Sequence, residues 1–239
     1  MKTLILVHGA FADQNVWGTV KPQLEAKGYR VITPDLPGHG TDQTPVADIS
    51  LAAYVSAVGN IVNEQPDQVT LVGHSLAGMV ISGGAEIYPE KLERLVYVAA
   101  YLPQSGQSLQ ELAQTDKESL VGANMQFAPD YSTVTIKKDM VAEAICADVP
   151  ATIQEMIVNN QKPEPLKPFA DKLELTATNF GRVPKYYLET TQDKAVSNTL
   201  QKAMVKDNGQ IKQMLTMNTS HLPFVAQPEQ FVTQLLSLF

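Results

Sequence analysis

The stretch Leu71-Val72-Gly73-His74-Ser75-Leu76-Ala77-Gly78 joins an apolar run, Gln68 to Val72, to a small-residue helical pattern that begins just after Ser75. That order reads strand, tight turn, helix, with a serine at the apex. Its spacing, Gly-x-Ser-x-Ala, is one methyl away from the Gly-x-Ser-x-Gly turn that exposes a nucleophilic serine above the edge of a sheet. Small residues flank the serine because strand and helix backbones nearly touch in such a turn. The helix N-terminus beneath it aims free N–H groups at any developing negative charge nearby. A serine so placed needs three further things from the chain: a base, a carboxylate to orient the base, and a second oxyanion donor.

Outward from this turn, short β-type runs appear at 3–7, 30–33, 69–72, 95–99, 185–189 and 212–217. Several are almost continuously apolar, as expected of strands covered on both faces in a parallel sheet. Helical patterns separate most of them. The pattern over 20–27 has Pro22 in its opening turn and Gly28 just beyond its end. The one after Ser50 carries Leu51, Val55, Val58 and Val62 on one face; a third follows the turn over 76–88. The last, 229–239, buries Phe231, Val232, Leu235 and Leu236. Alternating β and α predicts an α/β fold with a six-stranded, mostly parallel, doubly wound sheet. The alternation breaks between Pro103 and Pro184, a span too long for a bare loop in a compact domain. Amphipathic patterns at 136–147 and 151–159 make it a mainly helical cap, 104–183, inserted into a core formed by 1–103 and 184–239.

Composition narrows the partners. The 239 residues carry a net charge of −7, which argues against nucleic acid or an anionic membrane. Arg30, Arg94 and Arg182 are the only arginines, so an arginine clamp for phosphates or polycarboxylates is not expected. The single cysteine, Cys146, permits no internal disulfide and forms no metal cluster; a reducing, cytoplasmic location is the simplest reading. The N-terminal apolar run is short and interrupted by His8-Gly9, so it reads as the first strand, not as a signal peptide. No segment reaches transmembrane length. No cofactor or metal is called for, and assembly as a homodimer stays open.

Of the four histidines, His221 is the base that Ser75 requires. It follows the last strand through Asn218-Thr219-Ser220, which puts it at the carboxyl edge of the sheet, beside Ser75. His74 is the variable residue of the turn and would point away; His8 reads as structural, and His39 lies in the turn-rich Asp35-Leu36-Pro37-Gly38-His39-Gly40. Asp193 follows the fifth strand, and the chain order Ser75, Asp193, His221 is one known for such triads. Glu189, inside the strand, is a weaker rival. The tetrahedral intermediate needs two N–H donors: Leu76, directly after the nucleophile, and Ala10, in the loop after the first strand, where Gly9 permits close approach.

With these residues in place the chain resembles the α/β-hydrolase family of plant methylesterases and hydroxynitrile lyases, with bacterial relatives described as salicylate- or pyrethroid-type esterases. The likeness lies in Leu6-Val7-His8-Gly9-Ala10, the turn from Val72 to Met79, Asp193-Lys194, Ser220-His221 before Pro228-Glu229, and Asn179-Phe180-Gly181-Arg182-Val183-Pro184. It spans nearly the whole chain, although the interior of the cap is loosely similar. Ala77 replaces the last glycine of the turn, a mild change. The lyases carry Thr or Asn where Gly9 stands, and the Thr type carries Lys where Leu222 stands. The resemblance therefore implies an ester hydrolase acting on small, uncharged apolar or aryl esters. A lyase, a carbon–carbon or lactone hydrolase, and a ligand receptor with a vestigial triad are the rival readings. Phe11, Leu102, Met125, Phe127, Met156 and Leu222 are the expected lining of an apolar pocket between cap and sheet.

Overall fold

A computed structural model describes residues 1–239. In chain order the first half reads β1 (Thr3–Val7), α1 (Lys21–Ala26), β2 (Arg30–Ile32), α2 (Leu51–Asn63), β3 (Val69–His74), α3 (Ala77–Ile87) and β4 (Leu92–Val98). The connection that follows holds β5 (Gln107–Ser108), α4 (Leu109–Thr115), β6 (Met125–Phe127), β7 (Thr133–Ile136), α5 (Lys138–Ile145), α6 (Ala151–Asn159), β8 (Glu164–Pro165), α7 (Lys167–Ala170) and β9 (Lys172–Leu173). The chain closes with β10 (Lys185–Thr190), α8 (Asn198–Asn208), β11 (Ile211–Met217), α9 (Pro223–Ala226) and α10 (Pro228–Leu236).

Strands β11, β10, β4, β3, β1 and β2 form one six-stranded sheet in that order, with every neighbouring pair parallel. Alternation along each strand feeds two cores. Ile5, Val7, Leu71, Leu95, Tyr97 and Tyr187 pack on one face with α2, α3 and α8. Leu4, Leu6, Val72, Val96, Val98 and Leu188 pack on the other with Trp17, Leu24, Phe224, Phe231 and Leu235. Both faces are covered, which explains why the strands read as continuous apolar runs. Ser50 accepts from the Ala53 N–H and starts α2 as an N-cap.

The β4–β10 connection is mainly helical but not purely so. Strands β6, β7 and β8 form a small antiparallel sheet, and β5 pairs with β9. The sequence gives little sign of them because they are two to four residues long; even the alternating Thr-Val-Thr-Ile of β7 is too brief to stand out as a period. Their consequence for function is that β8 brings an acidic side chain, Glu164, down onto the sheet domain.

Candidate active site

Ser75 sits between the end of β3 and the start of α3 with φ +55°, a left-handed conformation that is uncommon for a non-glycine residue. The turn is locked on both sides. The Ser75 N–H donates to Val98 O at 3.2 Å, and its carbonyl accepts from Gly78 N at 3.0 Å and Tyr101 N at 3.1 Å. A Cβ at Gly73 would lie 2.7 Å from Ala77 O, so the residue two before the serine must be glycine for strand and helix to approach. Ala77 itself is accommodated and fully buried.

His221 follows β11, and its Nδ1 lies 2.7 Å from Asp193 Oδ2, with both side chains almost completely buried. Asp193 follows β10. Its Oδ1 accepts from the Ala195 and Val196 N–H groups at 2.8 and 2.9 Å, and its Oδ2 from Thr190 Oγ1 at 2.8 Å and Gln201 Nε2 at 3.1 Å. Four donors besides the imidazole satisfy the buried carboxylate and fix its orientation. Because Asp193 can only accept when ionised, the imidazole carries its proton on Nδ1 and leaves Nε2 free to take another. Ser75 and His221 line the same cavity. Glu189, the rival carboxylate, instead accepts from Asn198 Nδ2 and Thr216 Oγ1.

Ala10 and Leu76 also line that cavity, and neither backbone N–H has a partner within the chain. The loop that carries Ala10 rests directly on the serine turn: a Cβ at Gly9 would lie 2.8 Å from Ser75 Cβ and 3.0 Å from His74 Nδ1.

Two histidines set aside on sequence grounds hold this geometry. His8 Nε2 accepts from Leu36 N at 3.0 Å, so its Nδ1 carries the proton and donates to Gly9 O at 2.9 Å. In a trans peptide the carbonyl and the following N–H point in opposite directions. Anchoring Gly9 O on the buried His8 ring therefore turns Ala10 N–H the other way. Burial, helped by the neighbouring His39, pushes the His8 pKa down to about 4, so the ring remains neutral and keeps this tautomer. His74 does not simply point away. Its ring donates through Nε2 to His221 O at 2.9 Å, fixing the loop of the proposed base. Burial, and then the nearby His221, hold its pKa well below the ordinary imidazole value. Nothing in a single sequence marks these roles, since they depend on which carbonyl lies against each ring.

The cavity has a volume of about 1020 Å³, at the upper end of ligand sites. Phe11, Met125, Phe127, Met156 and Leu222 line it, as do Tyr101, Leu109, Ile153 and Phe169. Leu102 does not. Its side chain lies in the core on the α2–α3 face and its N–H meets Met204 Sδ at 3.4 Å, while the preceding residue, Tyr101, turns to the cavity. The chain leaves β4 through Ala99 at φ +45°, and that bend changes which residue faces the cap. The space far exceeds the roughly 150 Å³ that suffices for a benzene ring. No group of three or more His, Cys, Asp or Glu side chains is arranged to hold a metal ion. No helix is long and apolar enough to cross a membrane.

The family model described as "Alpha/beta hydrolase family" matches residues 4–234, almost the whole chain. The chain belongs to that family. Among curated proteins it is similar to "Putative methylesterase 11, chloroplastic" of Arabidopsis thaliana, 28% identical over 246 residues, covering 98% of this chain and 63% of the relative. It thus spans under two thirds of that relative's length. Among solved structures, polyneuridine aldehyde esterase superposes with a TM-score of 0.89 at 22% identity, covering 100% of this chain and 99% of that one. The pyrethroid hydrolase PytH superposes with a TM-score of 0.86 at 24% identity, covering 100% and 97%. At these identities the two structures speak for the fold alone.

Proposed function

We propose that the protein is a serine carboxylesterase without a cofactor, its core formed by residues 1–103 and 184–239 and its cap by 104–183. The observation that carries this reading is the 2.7 Å His221–Asp193 contact opening onto the cavity that exposes the strained Ser75 turn. Ser75 Oγ attacks the ester carbonyl while His221 Nε2 takes its proton, and Asp193 holds the imidazole and balances the imidazolium. The oxyanion forms between the N–H groups of Ala10 and Leu76. His221 returns the proton to the leaving alcohol, and water repeats the sequence on the acyl-enzyme. The methylesterase name of the curated relative supports the same chemistry.

The substrates are neutral apolar or aryl esters. The lining offers Met and Phe and no basic cluster, and an unpaired carboxylate would be costly to bury there. The cavity volume of about 1020 Å³ widens the expected range from small esters to bulkier ones. Gly9 and Leu222 supply neither a hydroxyl nor an ammonium group, which disfavours cyanohydrin cleavage. The lone buried cysteine fits a reducing compartment, and the cytoplasm is the one we assign. The test is a panel of aryl and alkyl esters assayed with wild type and Ser75→Ala. Turnover lost in Ser75→Ala is expected; turnover that survives the substitution, or none with any ester, would overturn the assignment.

A further inference from the structure

Glu164 belongs to the cap, yet its side chain is completely buried. A buried carboxylate is tolerated only when paired and hydrogen-bonded. Glu164 finds partners from three separate segments of the sheet domain. Oε2 lies 2.9 Å from His39 Nε2 and accepts from Phe11 N at 3.1 Å, and Oε1 accepts from the Tyr54 hydroxyl at 2.9 Å. The other His39 nitrogen, Nδ1, faces Pro37 O at 3.1 Å, so both ring nitrogens face acceptors. Burial opposes a charge on His39, but the Glu164 hydrogen bond and charge raise its pKa above the ordinary value. A buried ion pair is typically no more stabilising than well-packed apolar residues. Pairing with His39 therefore does not account for the acid. The contact with Phe11 does.

Phe11 has φ +63°, a conformation that costs a side-chain-bearing residue about 1–3 kcal/mol and persists only where its surroundings enforce it. One cap segment enforces it. The Phe11 N–H is held by Glu164, and the Phe11 carbonyl accepts from Lys162 N at 2.9 Å. The segment is itself anchored: the Gln161 side chain bonds both the N–H and the carbonyl of Ile136, at 2.5 and 3.0 Å, and Glu164 pairs with Val134 of β7. Phe11 directly follows Ala10.

We propose that Glu164 is a positioning residue for the oxyanion hole: from the cap it grips the Phe11 N–H and so fixes the left-handed turn that presents the Ala10 N–H to the reacting carbonyl. This rests on the esterase reading above. Glu164 touches no reacting atom; it acts through the backbone.

Two substitutions separate this role from charge pairing with His39. Glu164→Gln keeps the side-chain length and an oxygen for the Phe11 N–H but removes the charge. Glu164→Asp keeps the charge but withdraws the oxygen by one methylene. Each is compared with wild type per active site, counted with an organophosphonate. A second probe is an aryl trifluoromethyl ketone, whose carbonyl carbon bonds to Ser75 Oγ; the serine proton passes to His221 and the oxyanion occupies the hole. Glu164→Asp should lower kcat by about 10–100-fold, the effect of a misplaced group, with KM within twofold. Its ketone inhibition constant should rise by the same factor as kcat/KM falls. Glu164→Gln should stay within threefold on all three measures. Loss in Glu164→Gln with retention in Glu164→Asp, equal loss in both, or no loss in either would overturn the proposal. Should Glu164→Asp not fold, amide exchange in the wild type decides: a protected Phe11 N–H supports the grip and a rapidly exchanging one refutes it. A wild type with no Ser75-dependent turnover would instead remove the esterase reading, and this role with it.

Discussion

Gly9→Ala tests the contact on which the proposed site depends. Gly9 has no left-handed backbone requirement, so alanine would be tolerated if space allowed. The added Cβ would lie 2.8 Å from Ser75 Cβ, 3.0 Å from His74 Nδ1 and 3.1 Å from His74 O. Ordinary carbon–carbon contact needs about 3.5–4.0 Å, so one side must retreat by roughly 0.7 Å or more. The serine turn cannot easily yield, because Val98, Gly78 and Tyr101 hold its backbone. The Ala10 loop must move instead. Overpacking of this kind costs about 1–3 kcal/mol in stability. Taking one donor out of an oxyanion hole costs about 10²–10³ in rate. The expected result is therefore a kcat/KM for a p-nitrophenyl ester lower by about two to three orders of magnitude, mostly in kcat, with a Tm lower by several degrees. A folded Gly9→Ala enzyme with kcat/KM within threefold of wild type would refute both the tight packing and the place of Ala10 in the hole.

Ser75→Ala and His221→Ala should each lower kcat by roughly 10⁴–10⁶, and the double variant should be little worse than either, as for groups that act together; additive losses measured in steady state would contradict a triad. The folded His8 ring stays neutral down to about pH 4, while the unfolded ring takes up a proton near 6.5. Its contribution to stability is thus present above pH 6.5 and is lost as pH falls towards 4, by about 3 kcal/mol in all. The gap in unfolding free energy between wild type and His8→Asn should narrow accordingly in urea titrations at pH 7.5, 5.5 and 4, and a pH-independent gap would refute the neutral ring. His39, whose pKa is raised, should act in the opposite sense: its contribution is complete below about pH 6.5 and is lost as pH rises through its folded value, and a His39→Gln comparison would show it. Mandelonitrile-type cyanohydrins should release no cyanide above background, because Gly9 and Leu222 offer no group to handle it; release abolished by Ser75→Ala would sink that argument.

The alternation of apolar runs and helical patterns determined the parallel sheet, since strands covered on both faces have no polar side to show. That Asp193 lies against His221, and that His221 shares a cavity with Ser75, was legible because each of the three follows a strand at the sheet's carboxyl edge. The small cap strands were not legible, being too short to carry a period. Leu102 was misplaced because the bend at Ala99 sends Tyr101, not its neighbour, towards the cavity. The tertiary structure alone decided how the site is held in shape. His8 aims a peptide through Gly9 O, His74 fixes the loop of His221, and Glu164 reaches from the cap to the Phe11 N–H. Each of these contacts joins a side chain to a backbone group or to a distant segment, so no residue type or spacing in the sequence records the partner.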